Sequence, residues 1–546
     1  MPEPSRERTG GQILVDQLKI HGVSAAFCVP GESYLAALDA LYDAADAIRL
    51  ISCRHEGGAS FMAAAHGKLT GRPGICLVTR GPGATNASIG VHTAFQDSAP
   101  MVLLVGQVER GHQEREAFQE IDFRRVFGQM AKWVAQVDDP ARLPEMVAHA
   151  FQLAVSGRPG PVVLALPEDM LAERCEAADA APYMRVQGAP GADQMERLRA
   201  MLEAAQRPLL IVGGGDWSPR AAGDLRSFCQ ANNLPAAAAF RAQDILDNRA
   251  EYYAGDLGTG PGSALLRRVR EADLLLVVGD RLGEIVTRGF TLIDIPRPRQ
   301  RFVHVYPEPS ELGRLYQPDL PILSGMREFA AAARAMAPLD STTWAEWMRA
   351  ARADYLAHLR HAPVARGVDL GAVMAYLRES LPHDAIVANG AGNFTAWLQR
   401  FYQFSVYPAQ LGPANGAMGY GLPAALAARV AYPDRVVVAV SGDGDFLMTG
   451  QELATAMHYG LVVVILVVNN GQYGTIRMHQ ERHYPGRPIG TALTNPDFVA
   501  YATAFGAYGE TVAETDEFAP AFERALACGR PALLELRTDP ELFAPG

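Results

Sequence analysis

Short apolar runs rich in β-branched residues alternate along the whole chain with longer stretches of helical periodicity. That pattern predicts parallel sheets covered by helices on both faces. In the first third the predicted strands are Ala25–Val29, Arg49–Cys53, Gly74–Thr79, Met101–Val105 and Pro159–Pro167. Helical patterns fall between them at Gln12–His21, Ser33–Ala44, Ala59–Leu69 and Ala84–Gln96. The Gly/Pro-rich passage Ala181–Gly191 reads as a linker. A middle region, Gln194 to Ala337, offers strands Pro208–Val212, Ala272–Val278 and Arg301–Tyr306. A second boundary runs from Ala337 to Gly367 around a charged helical stretch, Thr343–Arg360. The last third opens with helix Gly371–Leu381 and has strands Ala385–Ala388, Arg435–Val440, Leu461–Val468 and Pro531–Arg537. The expected fold is α/β, with three doubly wound parallel-sheet domains at 1–180, 190–340 and 360–546.

The first and last thirds share an order of parts. In each, an amphipathic helix leads to a strand ending in a glycine turn (Pro30-Gly31; Asn389-Gly390-Ala391-Gly392). A later strand in each ends in a second one (Gly81-Pro82-Gly83; Gly442-Asp443-Gly444). This is weak support for a duplication, because α/β domains generate such patterns independently.

Composition narrows the class. Of 546 residues, 49% are hydrophobic and 20% charged, which suits a large packed core and excludes wholesale disorder. The formal net charge of -11, with no basic tract, argues against nucleic acid as a partner. The longest apolar run, Leu461–Val468, is far short of the roughly 20 residues a membrane helix needs. The start, Met1–Gly11, is polar and lacks the apolar stretch of a signal peptide. Cys28, Cys53, Cys76, Cys175, Cys229 and Cys528 are scattered with no CxxC pair, as expected of reduced thiols in a cytoplasmic protein.

The chemistry concentrates in GDGDFLMTGQELATAMHYGLVVVILVVNN, Gly442 to Asn470. A strand runs out at the glycines, a helix with Leu453 and Met457 on its apolar face crosses back, and a second strand ends at the Asn pair. A right-handed βαβ crossover brings Asp443 and Asn470 to the carboxyl ends of parallel strands, where open sheets bind ligands. Gly442 and Gly444 leave room for phosphate oxygens beside a helix start with free N–H groups. Asp443 and Asn470 supply hard oxygen ligands suited to a magnesium ion shared with a diphosphate.

GDG followed at this spacing by NN resembles the diphosphate motif of the thiamine diphosphate enzymes. The resemblance implies pyrimidine-binding, middle and diphosphate-binding domains, in the order found along the chain. It implies a metal held by Asp443, Asn470 and the carbonyl of Gln472. Asp445, Tyr473 and the turn Gly390-Ala391-Gly392-Asn393 would lie beside the diphosphate, and Gly31 would belong to the cofactor site on the first domain. The cofactor's aminopyrimidine needs a carboxyl group against its N1', best kept protonated by an apolar pocket. Glu56 in RHEGGASFMAAAHG has that position, ahead of Gly57-Gly58-Ala59, which are small enough for a flat ring to stack. Met418 in NGAMGYGLPAA matches the bulky residue that bends the cofactor.

Within the family the likeness is to the acetolactate synthase group, through RHEGGASFMAAAHGKLTGRPGICLVTRGPGATN, AFQE, SGRPGPVVLALPED and GAMGYGLPAA. It implies Gln119 and Phe118 at the substrate. It also implies active sites at the interface of a homodimer or homotetramer. Four positions depart from the group. Glu32 replaces a second glycine after Pro30-Gly31. His479 stands where a Trp shapes the pocket for the second 2-oxo acid. Ile285 in RLGEI takes the place of a substrate-pairing Arg. GDLGTGP, Gly255 to Pro261, replaces a flavin-contacting segment. The last departure puts FAD in doubt, although Gly213-Gly214-Gly215 could cradle an adenine nucleotide. In related decarboxylases the segment at Glu32 reads PGD and its acid handles protons; the alternative is that Glu32 caps the helix near Ser33.

Two other motifs fall short. Gly81-Pro82-Gly83-Ala84-Thr85-Asn86 lacks the last glycine of a dinucleotide fingerprint, and HQERH (His479, His483) is not the zinc motif HExxH. Gln480–Gly490 reads as a mobile active-site loop. The expected activity is thiamine diphosphate- and Mg2+-dependent decarboxylation of a 2-oxo acid with carboligation to a second carbonyl compound. The alternatives are a non-ligating decarboxylase, a 2-hydroxyacyl-CoA lyase, or a non-catalytic cofactor-binding subunit.

Overall fold

The computed structural model describes residues 7–545. The first six residues of the polar start Met1–Gly11 lie outside the described residues. In the first third, β1 (Glu7–Thr9) is followed by β2 (Ala25–Cys28), β3 (Arg49–Ser52), β4 (Gly74–Val78) and β5 (Met101–Gln107). Then come β6 (Trp133–Gln136), β7 (Pro161–Pro167) and β8 (Arg174–Glu176). Strands β2 to β7 form one sheet in the order β3-β2-β4-β5-β7-β6, and β1 pairs antiparallel with β8.

The middle sheet holds β9 (Pro208–Val212), β10 (Ala236–Ala238), β11 (Tyr253–Asp256), β12 (Leu274–Val278), β13 (Arg301–Tyr306) and β14 (Leu320–Leu323). Its order is β11-β10-β9-β12-β13-β14. The last sheet holds β15 (Ile386–Asn389), β16 (Gln410–Leu411), β17 (Val437–Gly442), β18 (Val464–Asn469), β19 (Tyr508–Val512) and β20 (Ala532–Arg537). Its order is β16-β15-β17-β18-β20-β19.

Every pairing within these three sheets is parallel. Parallel strands covered on both faces must be apolar throughout. The inner strands obey: β4, β5, β7, β9 and β12 are buried at every residue. The likeness between the first and last thirds extends to topology. With strands counted in chain order, both sheets run 2-1-3-4-6-5, whereas the middle one runs 3-2-1-4-5-6.

The three α/β sheets are those expected, and the inner strands fall within a few residues of their predicted bounds. Within the three parallel sheets the strands without a sequence signal are β6, β10, β11, β14, β16 and β19, and the small pair β1–β8 has none either. Five of these six are sheet edges, and β10 lies next to one. An edge strand is short and needs no long apolar run, so its pattern is weak.

The chain forms two compact units. One comprises residues 1–186 with 422–433 and 449–461; the other comprises 187–421, 434–448 and 462–546. The middle and last sheets therefore share a unit, stitched by buried polar groups. Asp244 Oδ2 accepts the N–H groups of Ala409 and Gln410 at 2.8 and 3.0 Å, which holds the two-residue strand β16 in place. In the first unit, helices Glu56–Thr70 and Gly81–Asp97 pack closely enough that Gly90 lies directly against Ser60. The six cysteines are free.

Candidate active site

In the second unit, β17 ends at Gly442 and the chain enters a single helical turn, Asp443–Phe446. Asp443 and Asp445 thus stand at the carboxyl end of an inner strand, each only 2% exposed. Asp443 Oδ1 accepts the N–H of Gly444 at 2.9 Å. Its Oδ2 accepts the N–H of Gly471 at 2.9 Å and the Asn495 amide at 2.7 Å. Asp445 Oδ1 accepts the N–H groups of Gly419 and Ala391 at 2.8 and 3.1 Å, while its buried Oδ2 meets no donor. Burial pushes both carboxyls up, Asp445 to about 6, and no cation among the described residues offsets either.

These groups border a cleft of about 240 Å³. Of the residues expected to bind cofactor or metal, Gly392, Asn393, Met418, Gly442, Asp443, Gly444, Asp445, Asn470, Gln472 and Tyr473 all line it. Gly390 stands one step back, where a Cβ would collide with the Asp445 carboxylate. Gly444 has a reason the sequence did not suggest: a Cβ there would sit 2.5 Å from the Tyr473 ring. Asn393 Oδ1 accepts the Thr475 hydroxyl at 2.8 Å, which joins the turn after β15 to helix Gly474–His483. The apolar wall, including Phe394, Trp397 and Ile476, carries no motif and was not anticipated.

Buried carboxylates are paired or bind metals, since an uncompensated one costs several kcal/mol. Asp443 and Asp445 therefore fit a bound cation. No cluster of three or more His, Cys, Asp or Glu able to hold a metal occurs among the described residues. A metal here would add neutral amide and carbonyl oxygens to the carboxylate, a set that suits magnesium. The Gln472 carbonyl accepts the Gly474 N–H at 2.9 Å and keeps its second lone pair; Asn470 Oδ1 accepts only the long 3.3 Å contact from the Gln472 N–H. The sequence also did not reveal Asn495, which ties Asp443 to Asn469 Oδ1 at 3.0 Å. Asn469 in turn donates to Glu535 at 2.7 Å, so the first Asn of the pair braces the turn and the second faces the cleft.

In the first unit, Glu56 is the first residue of helix Glu56–Thr70 and is half-buried. Its Oε2 accepts the Asn86 amide at 2.9 Å, which leaves Oε1 beside Gly83. The His55 Nδ1 accepts the Gly57 N–H at 2.9 Å, so the neutral ring carries its proton on Nε2. The preceding turn is held by Glu452, fully buried, which accepts the N–H groups of Arg54 and His55 and, at 2.6 Å, the Thr455 hydroxyl. Gly58 lies against that carboxylate and Gly57 against the His55 ring. In the Cβ direction these two glycines are therefore already needed for the chain's own side chains.

Strand register sets the next pair. Cys28 lies opposite Ser52, so Glu32 and Glu56 each stand four residues beyond paired strand ends. Glu32 is exposed and begins the turn Glu32–Tyr34. The N-caps of this turn and of the helix after it are Gly31 and Tyr34, so Glu32 caps neither. Gly31 is required because a Cβ would sit 2.5 Å from the Thr79 side chain. Gln119 adopts a left-handed φ of 65°, and its carbonyl accepts the Gly81 N–H at 3.0 Å; Phe118 beside it is 73% exposed. His479 is exposed and does not line the cleft. The expected loop Gln480–Gly490 is helical as far as His483.

In the middle sheet the glycine turn after β9 meets the turn after β12. The Trp217 indole donates to the Gly213 carbonyl at 2.9 Å, and a Cβ on Gly213 would sit 2.6 Å from Asp280 Oδ2. These glycines serve the meeting of two loops. In the segment that departs from the flavin pattern, the N–H and hydroxyl of Thr259 donate to Gln399 at 3.1 and 2.8 Å.

Three family models cover most of the chain: the thiamine pyrophosphate enzyme N-terminal TPP-binding domain at residues 8–126, the central domain at 195–333 and the C-terminal TPP-binding domain at 390–536. The chain belongs to the thiamine pyrophosphate enzyme family. It is 32% identical over 542 residues to the acetolactate synthase isozyme 2 large subunit of Escherichia coli (strain K12), covering 97% of this chain and 95% of that protein. It is 33% identical over 543 residues to the acetolactate synthase large subunit of Parasynechococcus marenigrum (strain WH8102), covering 97% and 87%. The Methanocaldococcus jannaschii probable acetolactate synthase large subunit is 29% identical over 554 residues, with 98% and 93% covered. Thiamine diphosphate is accordingly the cofactor, with Mg2+ as the family's usual metal.

Two predictions come from these contacts. Glu452→Ala should lower stability by about 1–3 kcal/mol in urea unfolding, because two N–H groups lose their buried acceptor; Glu452→Gln should recover part of the loss. An unchanged midpoint for the alanine variant would contradict the role of Glu452. The second concerns Asp256 at the end of β11, whose carboxyl burial pushes up to about 7. Between the ordinary carboxylate range and that value the folded chain holds a proton that the unfolded chain has already released, so stability should fall as pH rises from about 4 to 7 and level off above. Asp256→Asn should flatten that fall in denaturant midpoints, and an equal fall in parent and variant would refute the assignment.

Proposed function

We propose that the protein decarboxylates a 2-oxo acid and joins the remaining acyl unit to a second carbonyl compound, as the names of its relatives imply for acetolactate synthases. The observation that carries this reading is the pair of buried, uncompensated carboxylates at Asp443 and Asp445, lining one cleft with Asn470 and the turn after β15. Thiamine diphosphate, when bound, supplies a carbon nucleophile and an electron sink for loss of carbon dioxide.

The chain's residues do the rest. Asp443, Asn470 and the Gln472 carbonyl would hold the metal. Asp445 draws the Ala391 and Gly419 backbones onto one carboxylate, which sets the turn after β15 against the segment carrying Met418. Met418, in the cleft wall, would pack against the bound cofactor. Glu56, with Oε2 occupied by Asn86, offers Oε1 to carry the proton held against the aminopyrimidine. Gln119 and Phe118 approach the substrate, with Ile285 and His479 at the departures that would alter acceptor choice. By the family resemblance Glu56 serves the cleft of a second copy, so the working form is a homodimer or homotetramer. The scattered free cysteines support a cytoplasmic setting, and no described helix is long and apolar enough to cross a membrane.

A second reading, a non-ligating 2-oxo acid decarboxylase or a 2-hydroxyacyl-CoA lyase, draws on Glu32. This exposed carboxylate caps neither neighbouring helical element and stands at the strand-end level of Glu56. Incubation with thiamine diphosphate, Mg2+, pyruvate and a panel of 2-oxo acids and aldehydes, read by NMR, should give a ligated product. Free aldehyde alone would favour the second reading, and no turnover with cofactor bound would favour a non-catalytic subunit. Glu56→Gln should bind cofactor normally, yet slow hydrogen–deuterium exchange at its C2 by about a hundredfold or more. Exchange at the parent rate would remove Glu56 from the site.

A further inference from the structure

At the opposite edge of the first sheet, where β2, β3 and β4 begin, lies a second cleft of about 390 Å³. Its basic lining consists of Arg49, Arg72, His21 and His66, with Tyr432 beside them and no Asp or Glu. That is an unusual surface in a chain of net charge -11. Arg49 lies over the Tyr459 ring and donates to its carbonyl at 3.2 Å, and Arg72 lies near Gly22. Neither guanidinium has a carboxylate partner among the described residues.

The histidines add buried donors. His21 is 5% exposed, stacks on Phe151 with ring centroids 4.7 Å apart, and accepts the Tyr183 N–H on Nδ1 at 3.3 Å. Its neutral ring therefore carries the proton on Nε2, which has no hydrogen-bond partner. His66 also has a buried ring nitrogen, Nδ1, without a partner. Burial pushes both rings down, His66 to about 4 with Arg72 adding to the effect, so both are neutral near pH 7. A buried N–H without an acceptor costs free energy that a ligand oxygen would recover.

We propose that this cleft binds a small oxyanion, a metabolite bearing phosphate or carboxylate, with Arg49 and Arg72 as its cations and His21 Nε2–H as its buried donor. The elements that line the cleft also lead to the catalytic edge. Strand β3 starts at Arg49 and ends four residues before Glu56, and the helix carrying His66 begins with Glu56. An anion here would contact both elements that frame Glu56.

The test uses the full chain saturated with thiamine diphosphate and Mg2+, so that the diphosphate cleft is filled. Inorganic phosphate and malonate are each titrated by calorimetry. The parent should take up one anion per chain saturably, and Arg49→Gln/Arg72→Gln should weaken that uptake about tenfold or more. The anion that binds more tightly identifies the headgroup. If the double variant fails to fold, Arg72→Gln alone is read by the same criterion, since that side chain is exposed. Absence of saturable uptake by the parent, or equal uptake by parent and variant, overturns the proposal.

Discussion

Two carboxylates buried two residues apart at the end of one strand, with no cation beside them among the described residues, are the constraint on which the second unit is built. Such an arrangement is unfavourable unless hydrogen-bond donors converge on it and a ligand completes the charge balance. Besides the neighbouring Gly444 N–H, the donors come from four places: the turn after β15, the loop before Tyr420, the turn after β18, and Asn495. Each of these segments is fixed by its bond to Asp443 or Asp445, and each contributes to the cleft wall or braces it. The cleft is thus framed by the loops needed to make two buried charges tolerable.

The first unit solves a similar problem with one carboxylate. Glu452 satisfies the N–H groups of the turn that presents Glu56, and His55 satisfies the next one. Asn86 then occupies one oxygen of Glu56 and leaves the other unengaged. Orientation of the carboxyl comes from neighbours that are not themselves chemical, which is how a rigid first layer around a reacting group is usually maintained.

The same sheet topology in the first and last thirds places glycine turns at equivalent strand ends, yet the glycines have different local tasks. Gly31 admits Thr79, Gly58 admits Glu452, Gly390 admits Asp445 and Gly444 admits Tyr473. Close approach by the chain's own side chains accounts for these positions directly. Any approach by a ligand's phosphates acts on backbone already shaped by those contacts.

The chain's linear pattern determined the α/β class, the inner strands and the motif residues that line the cleft, but not its apolar wall. These depend on continuous apolar runs and on a motif in which glycine, carboxylate and amide occupy fixed spacings across one βαβ crossover. Short edge strands such as β16 were invisible because two residues carry no period, and Asp244 decides their place from 165 positions away. Asn86, Glu452 and Asn495 were likewise illegible, since a lone Asn or Glu has no pattern until folding brings its donors or acceptors within reach. His479 shows the converse: its alignment suggested a pocket position, whereas helix Gly474–His483 turns it outward in the single chain. Periodicity and local motifs are properties of neighbouring residues, and so the sequence alone carries them. Which distant side chain satisfies a buried donor is settled only by tertiary packing, because that is where burial makes the donor costly.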